Sequence, residues 1–266
     1  MDSLGTKISA LALAGLLLTP AFGAGSPQSA NSQRSAFLVN GAPSSAQTQT
    51  TSTIVIGFLG GMVRHDDPVH STVQLAEKLR KEYPGGVHVE TFENRRREDA
   101  RKTILRLLDT DQSGKLTDKE KLHARVILYG HSWGASAVVT LAKELEQDKI
   151  PVLLTVQVDS VAKGGQNDSV IPANVVEAVN FYQPDGWLHG REAITAADPV
   201  HTLILGNFRF SYKEAPIACK GYPWYAKAFS KTHIEIECDP HVWSQVENLI
   251  REQLDQTVAQ KTNPSK

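Results

Sequence analysis

From Thr53 onward, short apolar runs alternate with longer amphipathic stretches, and this alternation restricts the fold more than any other feature of the chain. Ile54-Val55-Ile56 reads as a short buried strand running into Gly57-Phe58-Leu59-Gly60-Gly61. Val69, Val73, Ala76 and Leu79 then recur at helical spacing, and Pro84-Gly85-Gly86 ends that helix. Val87 to Phe92 alternates as a strand, and Ile104, Leu105, Leu107 and Leu108 mark a second helix. Arg125 to Tyr129 reads as a third strand, followed by a helix with Val138, Leu141, Ala142 and Leu145 on one face. Val152 to Val158, Val176 to Tyr182 and Thr202 to Phe208 complete six strands, with no internal repeat. Asp239 caps a closing helix, with Pro240 at its first position and Val242, Val246, Leu249 and Ile250 facing inward. Strands separated by helix-length segments predict an α/β fold: a mostly parallel sheet of about six strands with helices on both faces. Functional loops then gather at the carboxyl ends of the strands.

The 266 residues, 41% of them apolar, suit one domain with a substantial core. A formal net charge of −1 supplies no long-range field toward nucleic acid or an anionic surface. Arg95, Arg96 and Arg97 are surrounded by Glu93, Glu98 and Asp99 and read as a solvated helix start. At the N-terminus, Lys7 precedes an apolar run from Ile8 to Leu18, with small residues at Ala21 and Gly23. That pattern predicts a secretory signal over residues 1–23, and the run is too short for a stable membrane anchor. Residues 24–50, rich in Ser, Gln and Thr, read as a disordered linker ahead of a domain spanning 51–260. The expected location is therefore periplasmic or extracellular. An oxidising compartment favours a disulfide between Cys219 and Cys238, with two free thiols as the alternative.

Gly130-His131-Ser132-Trp133-Gly134 fits Gly-x-Ser-x-Gly at a strand end, followed at once by the small residues Ala135, Ser136 and Ala137. Such a strand-turn-helix setting holds a serine in a strained conformation above a sheet. With the order Ser, Asp, His that follows, the chain from Thr53 to Leu254 resembles the α/β-hydrolase superfamily, closest to its lipase and esterase branch. The resemblance implies Ser132 as nucleophile, with a base and an acid on loops after later strands. His65, His70, His88 and His123 precede the elbow and His131 lies inside it, whereas His189 and His201 read as a surface and a structural residue. His233, expected in the loop before the last helix, is the favoured base, with His241 as the alternative. Asp159 ends the fourth strand, in a segment similar to the Leu-Asp-Pro of some animal lipases, and Asp185 after the next strand remains open as the acid. Oxyanion donors are expected from the N–H of Trp133 and of Phe58, since Ile56-Gly57-Phe58 resembles the His-Gly-Phe of lipases. The implied substrate is a small-molecule or lipid ester, and the catalysis needs no cofactor. Thioesterase and acyltransferase activities use the same groups.

Residues 109–120 carry a second pattern. Asp109, Asp111, Ser113, Lys115 and Glu120 fall at the ligand positions of an EF-hand loop, with Gly114 at its sharp turn. The strand at Arg125 leaves little room for an exit helix, so a single structural Ca2+ site stapling the connection is expected. The alternative is a surface connection capped by Thr117 or Asp118. A contrasting functional class is a non-catalytic calcium-binding protein on a hydrolase scaffold.

Overall fold

The computed structural model describes residues 52–262, so the signal expected over 1–23 and the linker over 24–50 lie outside the described residues. The elements run β1 (Thr53–Leu59), α1 (Ser71–Glu82), β2 (Val87–Glu93), α2 (Arg97–Leu108), α3 (Asp118–Leu122), β3 (Val126–His131), α4 (Trp133–Gln147), β4 (Val152–Val158), β5 (Val170–Ile171), β6 (Val175–Tyr182), β7 (Thr195–Ala196), β8 (Leu203–Arg209), α5 (Trp224–Cys238) and α6 (Pro240–Thr262). Six strands form one sheet in the order β2-β1-β3-β4-β6-β8, and every pairing within it is parallel. The short β5 and β7 pair separately.

Strand periodicity decides which helix covers which face. Along β1, Ile54, Ile56 and Phe58 pack with Ala100, Ile104 and Leu108 of α2 and with Val138, Leu141 and Leu145 of α4. Val55 points the other way, toward Leu75, Ala76 and Leu79 of α1 and Val242, Val246 and Ile250 of α6. The strand β3 repeats the rule, sending Val126 and Leu128 to the first cluster and Ile127 and Tyr129 to the second. The expected architecture, a mostly parallel sheet covered on both faces, is the one observed.

The chain pairs β2 on one side of β1 and then crosses to place β3 on the other. That reversal falls between β1 and β3, and open α/β sheets put their ligands beyond the carboxyl ends of strands at such a point. Two boundaries differ from the sequence reading in ways that matter there. The strand β1 continues through Phe58 to Leu59, and β3 continues through Gly130 to His131.

Candidate active site

Ser132 occupies the tight turn between β3 and α4, with φ 58° and ψ −126°, a region sparsely populated by L-residues. Its surroundings over-determine that conformation. The Ser132 N–H donates to the Val158 carbonyl at 2.9 Å, and its own carbonyl accepts from Val161 N–H at 3.2 Å. Glycine at 134 is obligatory, because a Cβ there would collide with the Phe58 carbonyl of the neighbouring strand. The hydroxyl is thereby presented over the end of the sheet while the residue stays buried.

His233 reaches it from near the far end of the chain. Its Nε2 lies 2.8 Å from Ser132 Oγ, and its Nδ1 lies 2.6 Å from Asp159 Oδ2. Asp159 is fully buried, also at positive φ, and accepts three further hydrogen bonds. Oδ1 accepts from Gln183 N–H at 3.1 Å and Gly190 N–H at 2.7 Å, and Oδ2 from the Gln183 carboxamide at 2.9 Å. A buried carboxylate held by this many donors has its orientation fixed, and it fixes the imidazole plane in turn. Gln183 and Gly190 were not singled out in the sequence. The signal available for Gly190 was its identity alone, since any Cβ would collide with the Asp159 backbone.

The alternatives are engaged elsewhere. Asp185 accepts from Ser211 Oγ at 2.7 Å and Tyr212 N–H at 3.0 Å and pairs with Lys213, contacts that hold its carboxyl below the usual range, the Ser211 bond foremost. His241 lies in the first turn of α6, where its ring nitrogen meets Gln245.

Two placements correct the sequence reading. His233 is not in a loop: it belongs to the second of two helical segments joined at a kink, Ser230, within α5. Residues 233 to 237 are all buried, so apolar periodicity carried no helical signal there. Phe58 is not in the loop after the first strand. Its backbone is paired with Phe92 on β2 and Gly130 on β3, which makes it part of the ladder rather than a free donor. The segment that meets the serine begins two residues later, since a Cβ at Gly60 would lie 2.7 Å from Ser132 Cβ. Asn94 holds that segment by donating to the carbonyls of Leu59 at 3.1 Å and Gly61 at 2.6 Å. Trp133 is the first residue of α4, so its N–H has no intrahelical acceptor. Chemically, the arrangement offers a hydroxyl with an adjacent base, an oriented base, and a helix N-terminus beside developing negative charge.

The acidic loop is built differently. Asp109 ends α2 and accepts from Ser113 N–H at 3.0 Å and Gly114 N–H at 2.8 Å, while Ser113 Oγ donates to the Lys115 carbonyl at 2.9 Å. Glu120 and Thr117 form a capping box at the start of the five-residue α3, and Glu120 Oε1 also accepts from Thr110 N–H and Oγ1 at 2.8 Å. These bonds, from Thr117 N–H foremost, hold the Glu120 carboxyl at about 2. Carboxylate oxygens of Asp109, Asp111 and Glu120 lie within 4.8 Å of one another. An all-oxygen donor set of this spacing fits a hard divalent cation, which those three residues would hold with Ser113 Oγ and the Lys115 carbonyl.

Cys219 and Cys238 are disulfide-bonded, with Cα atoms 5.8 Å apart. Among the described residues, no helix is long and apolar enough to cross a membrane.

No protein-family model and no curated protein matches the sequence. Among solved structures, the chain is similar to dienelactone hydrolase from Anabaena variabilis, at 12% identity and a TM-score of 0.36 over 78% of this chain and 88% of that one. It is similar to human thioesterase 2 at 9% identity and a TM-score of 0.42, over 77% and 98%. The thioesterase domain SrfTE, tied to cyclisation of the lipopeptide antibiotic surfactin, is similar at 14% identity and a TM-score of 0.31, over 61% and 83%. The likeness is one of fold alone.

Proposed function

We propose that this protein is an exported serine hydrolase that cleaves an ester through an acyl-enzyme. The observation that carries the reading is the continuous chain from Ser132 Oγ through both nitrogens of His233 to buried Asp159. Ser132 Oγ attacks the acyl carbonyl carbon while its proton passes to His233 Nε2. Asp159 keeps the imidazole oriented and supports the imidazolium. The N–H of Trp133 and the backbone of the Gly60-Gly61 segment face the oxyanion, each such donor contributing about 3 kcal/mol in comparable enzymes. Collapse expels the alcohol, which takes the proton from His233, and water repeats the sequence to release the acid. Thioester cleavage or transfer to another acceptor would use the same groups.

Export is supported by the Cys219–Cys238 disulfide, since such bonds persist in oxidising compartments. In the same reading, loop 109–120 takes one Ca2+ that ties α2 to α3 and has no part in the chemistry. A panel of p-nitrophenyl esters of rising chain length, with a thioester beside it, tests the proposal. Turnover lost in Ser132→Ala supports it. Tight calcium binding by calorimetry, abolished in Asp109→Ala, with no turnover of any ester would point instead to a non-catalytic calcium-binding protein.

A further inference from the structure

Behind the imidazole of His233 lies a second buried acid–imidazole chain that the mechanism above does not use. His131, the second residue of the elbow pentapeptide, packs its ring 4.6 Å from that of His233 at a tilt of 36° and places Nε2 3.2 Å from the His233 carbonyl. Its Nδ1 lies 3.4 Å from Glu237 Oε2. The other carboxylate oxygen, Oε1, makes a short hydrogen bond with Nδ1 of His70, just ahead of α1. Side-chain exposures of 5% for His131 and Glu237 and 11% for His70 make this a charge cluster shut off from water.

The charged neighbours are few. Glu237 faces His131 from β3, His70 from the start of α1, and His233 on its own helix. The Tyr222 hydroxyl, buried beside it, is kept un-ionised by burial and then by the Glu237 charge. Asp67 lies 4.0 Å from the outer nitrogen of His70. Around His233 the groups are Ser132, Asp159, His131 and Glu237. Cys238, next to Glu237, is tied to Cys219, three residues before Tyr222, so a covalent link joins the segments that carry Glu237 and Tyr222.

Hydrogen-bond chemistry then assigns the protons. A peptide carbonyl can only accept, so His131 must carry its hydrogen on Nε2. Burial holds His131 down to about 4, leaving it neutral. Burial also lowers His70, but the hydrogen bond and charge of Glu237 outweigh it and raise the group above its ordinary value. Burial opposes the Glu237 charge, and the surrounding imidazoles reverse that and hold it at about 2.

Resting on the catalytic reading of Ser132 and His233, we infer that His131, Glu237 and His70 form a positioning unit for the general base. His131 pins the His233 peptide through Nε2, and Glu237, paired with His70, lends negative potential where His233 becomes an imidazolium.

The test uses the full chain labelled with 15N-histidine, together with the pH profile of its inactivation by a fluorophosphonate. In the wild type, His131 should show a single Nε2–H tautomer and stay neutral from about pH 5 to 8. Glu237→Gln should move the acid limb of the inactivation profile down by about half a pH unit or more, because a negative charge near the base is gone. His131→Leu should slow inactivation about tenfold, and His131→Gln, which restores a donor at the Nε2 position, should recover most of the rate. An Nδ1–H tautomer in the wild type overturns the inference whether or not any variant folds. So does an unmoved acid limb in folded Glu237→Gln, or equal rates for the Leu and Gln variants. A wild type that fails to react at all removes the catalytic reading and this inference with it. That case is told apart because the tautomer reports on the cluster without any reaction.

Discussion

Asp159 and Asp109 both end an element and both accept backbone N–H groups, yet they are held in opposite ways. Asp159 draws its partners from Gln183, Gly190 and His233, which are 24, 31 and 74 residues away, and it is sealed from water. Asp109 draws its partners from Ser113 and Gly114, four and five residues on, in an exposed loop. The first arrangement exists only when a strand end, a loop and a helix are assembled together, and losing one partner strands a buried charge. The second can form almost wherever the loop is, and water can replace each bond. Long-range, dry contacts therefore hold the Asp159 carboxylate, and local, wet ones tie off the Asp109 loop.

The largest effect that can break this contrast belongs to Asp159. Asp159→Asn should lower ester turnover about 10⁴-fold, because an amide no longer selects the right imidazole tautomer. Asp185→Asn, measured beside it, should cost under about tenfold, since its partners are Ser211, Tyr212 and Lys213 rather than the base. Equal losses would erase the distinction between the two carboxylates. Next comes Gly190→Ala, whose added carbon collides with the Asp159 backbone. A loss of about 1–3 kcal/mol, read from the urea midpoint, is expected together with reduced turnover.

Acid sensitivity sharpens the same point. His131 falls from 6.5 to about 4 in the folded protein, burial being the chief cause, so the unfolded chain takes up that proton first. Its stabilising contribution is complete above about pH 6.5 and is lost as pH falls toward 4. Glu237, held at about 2 instead of 4.5, adds a loss between those two values. His70 runs the other way: being raised, it contributes below about pH 6.5 and loses that contribution as pH rises through its folded value. Thermal melts should show the gap between wild type and His131→Gln narrowing by a few degrees from pH 6.5 to 4. A constant gap would mean that His131 is not buried neutral. The smallest effect is reserved for the loop. Adding Ca2+ should raise the melting temperature by a few degrees, and Asp109→Asn should abolish that rise, with ester turnover changed by less than about twofold.

This contrast also explains what could be read from the residues alone. Short apolar runs along β1, β3 and β4, set between helix-length amphipathic stretches, exposed the sheet and its two covered faces, because both signals are written in neighbouring positions. The elbow was legible for the same local reason: strand, tight turn and small residues are contiguous from Val126 to Ala137. The pairing of Asp159 with His233 spans the domain and came from resemblance to a known fold, not from periodicity. His70, His131 and Glu237 were passed over because three residues from distant elements carry no shared local pattern. The short β5 and β7 offered only two residues each, too few for any period to show.

The central claim is that one hydroxyl, at the turn between β3 and α4, is chemically activated by its surroundings. Intact-mass analysis of the folded protein after exposure to a fluorophosphonate tests it directly. The account predicts a single adduct, mapped by peptide analysis to Ser132 and absent in Ser132→Ala. No adduct on folded wild type, or an equal adduct on Ser132→Ala, would contradict it.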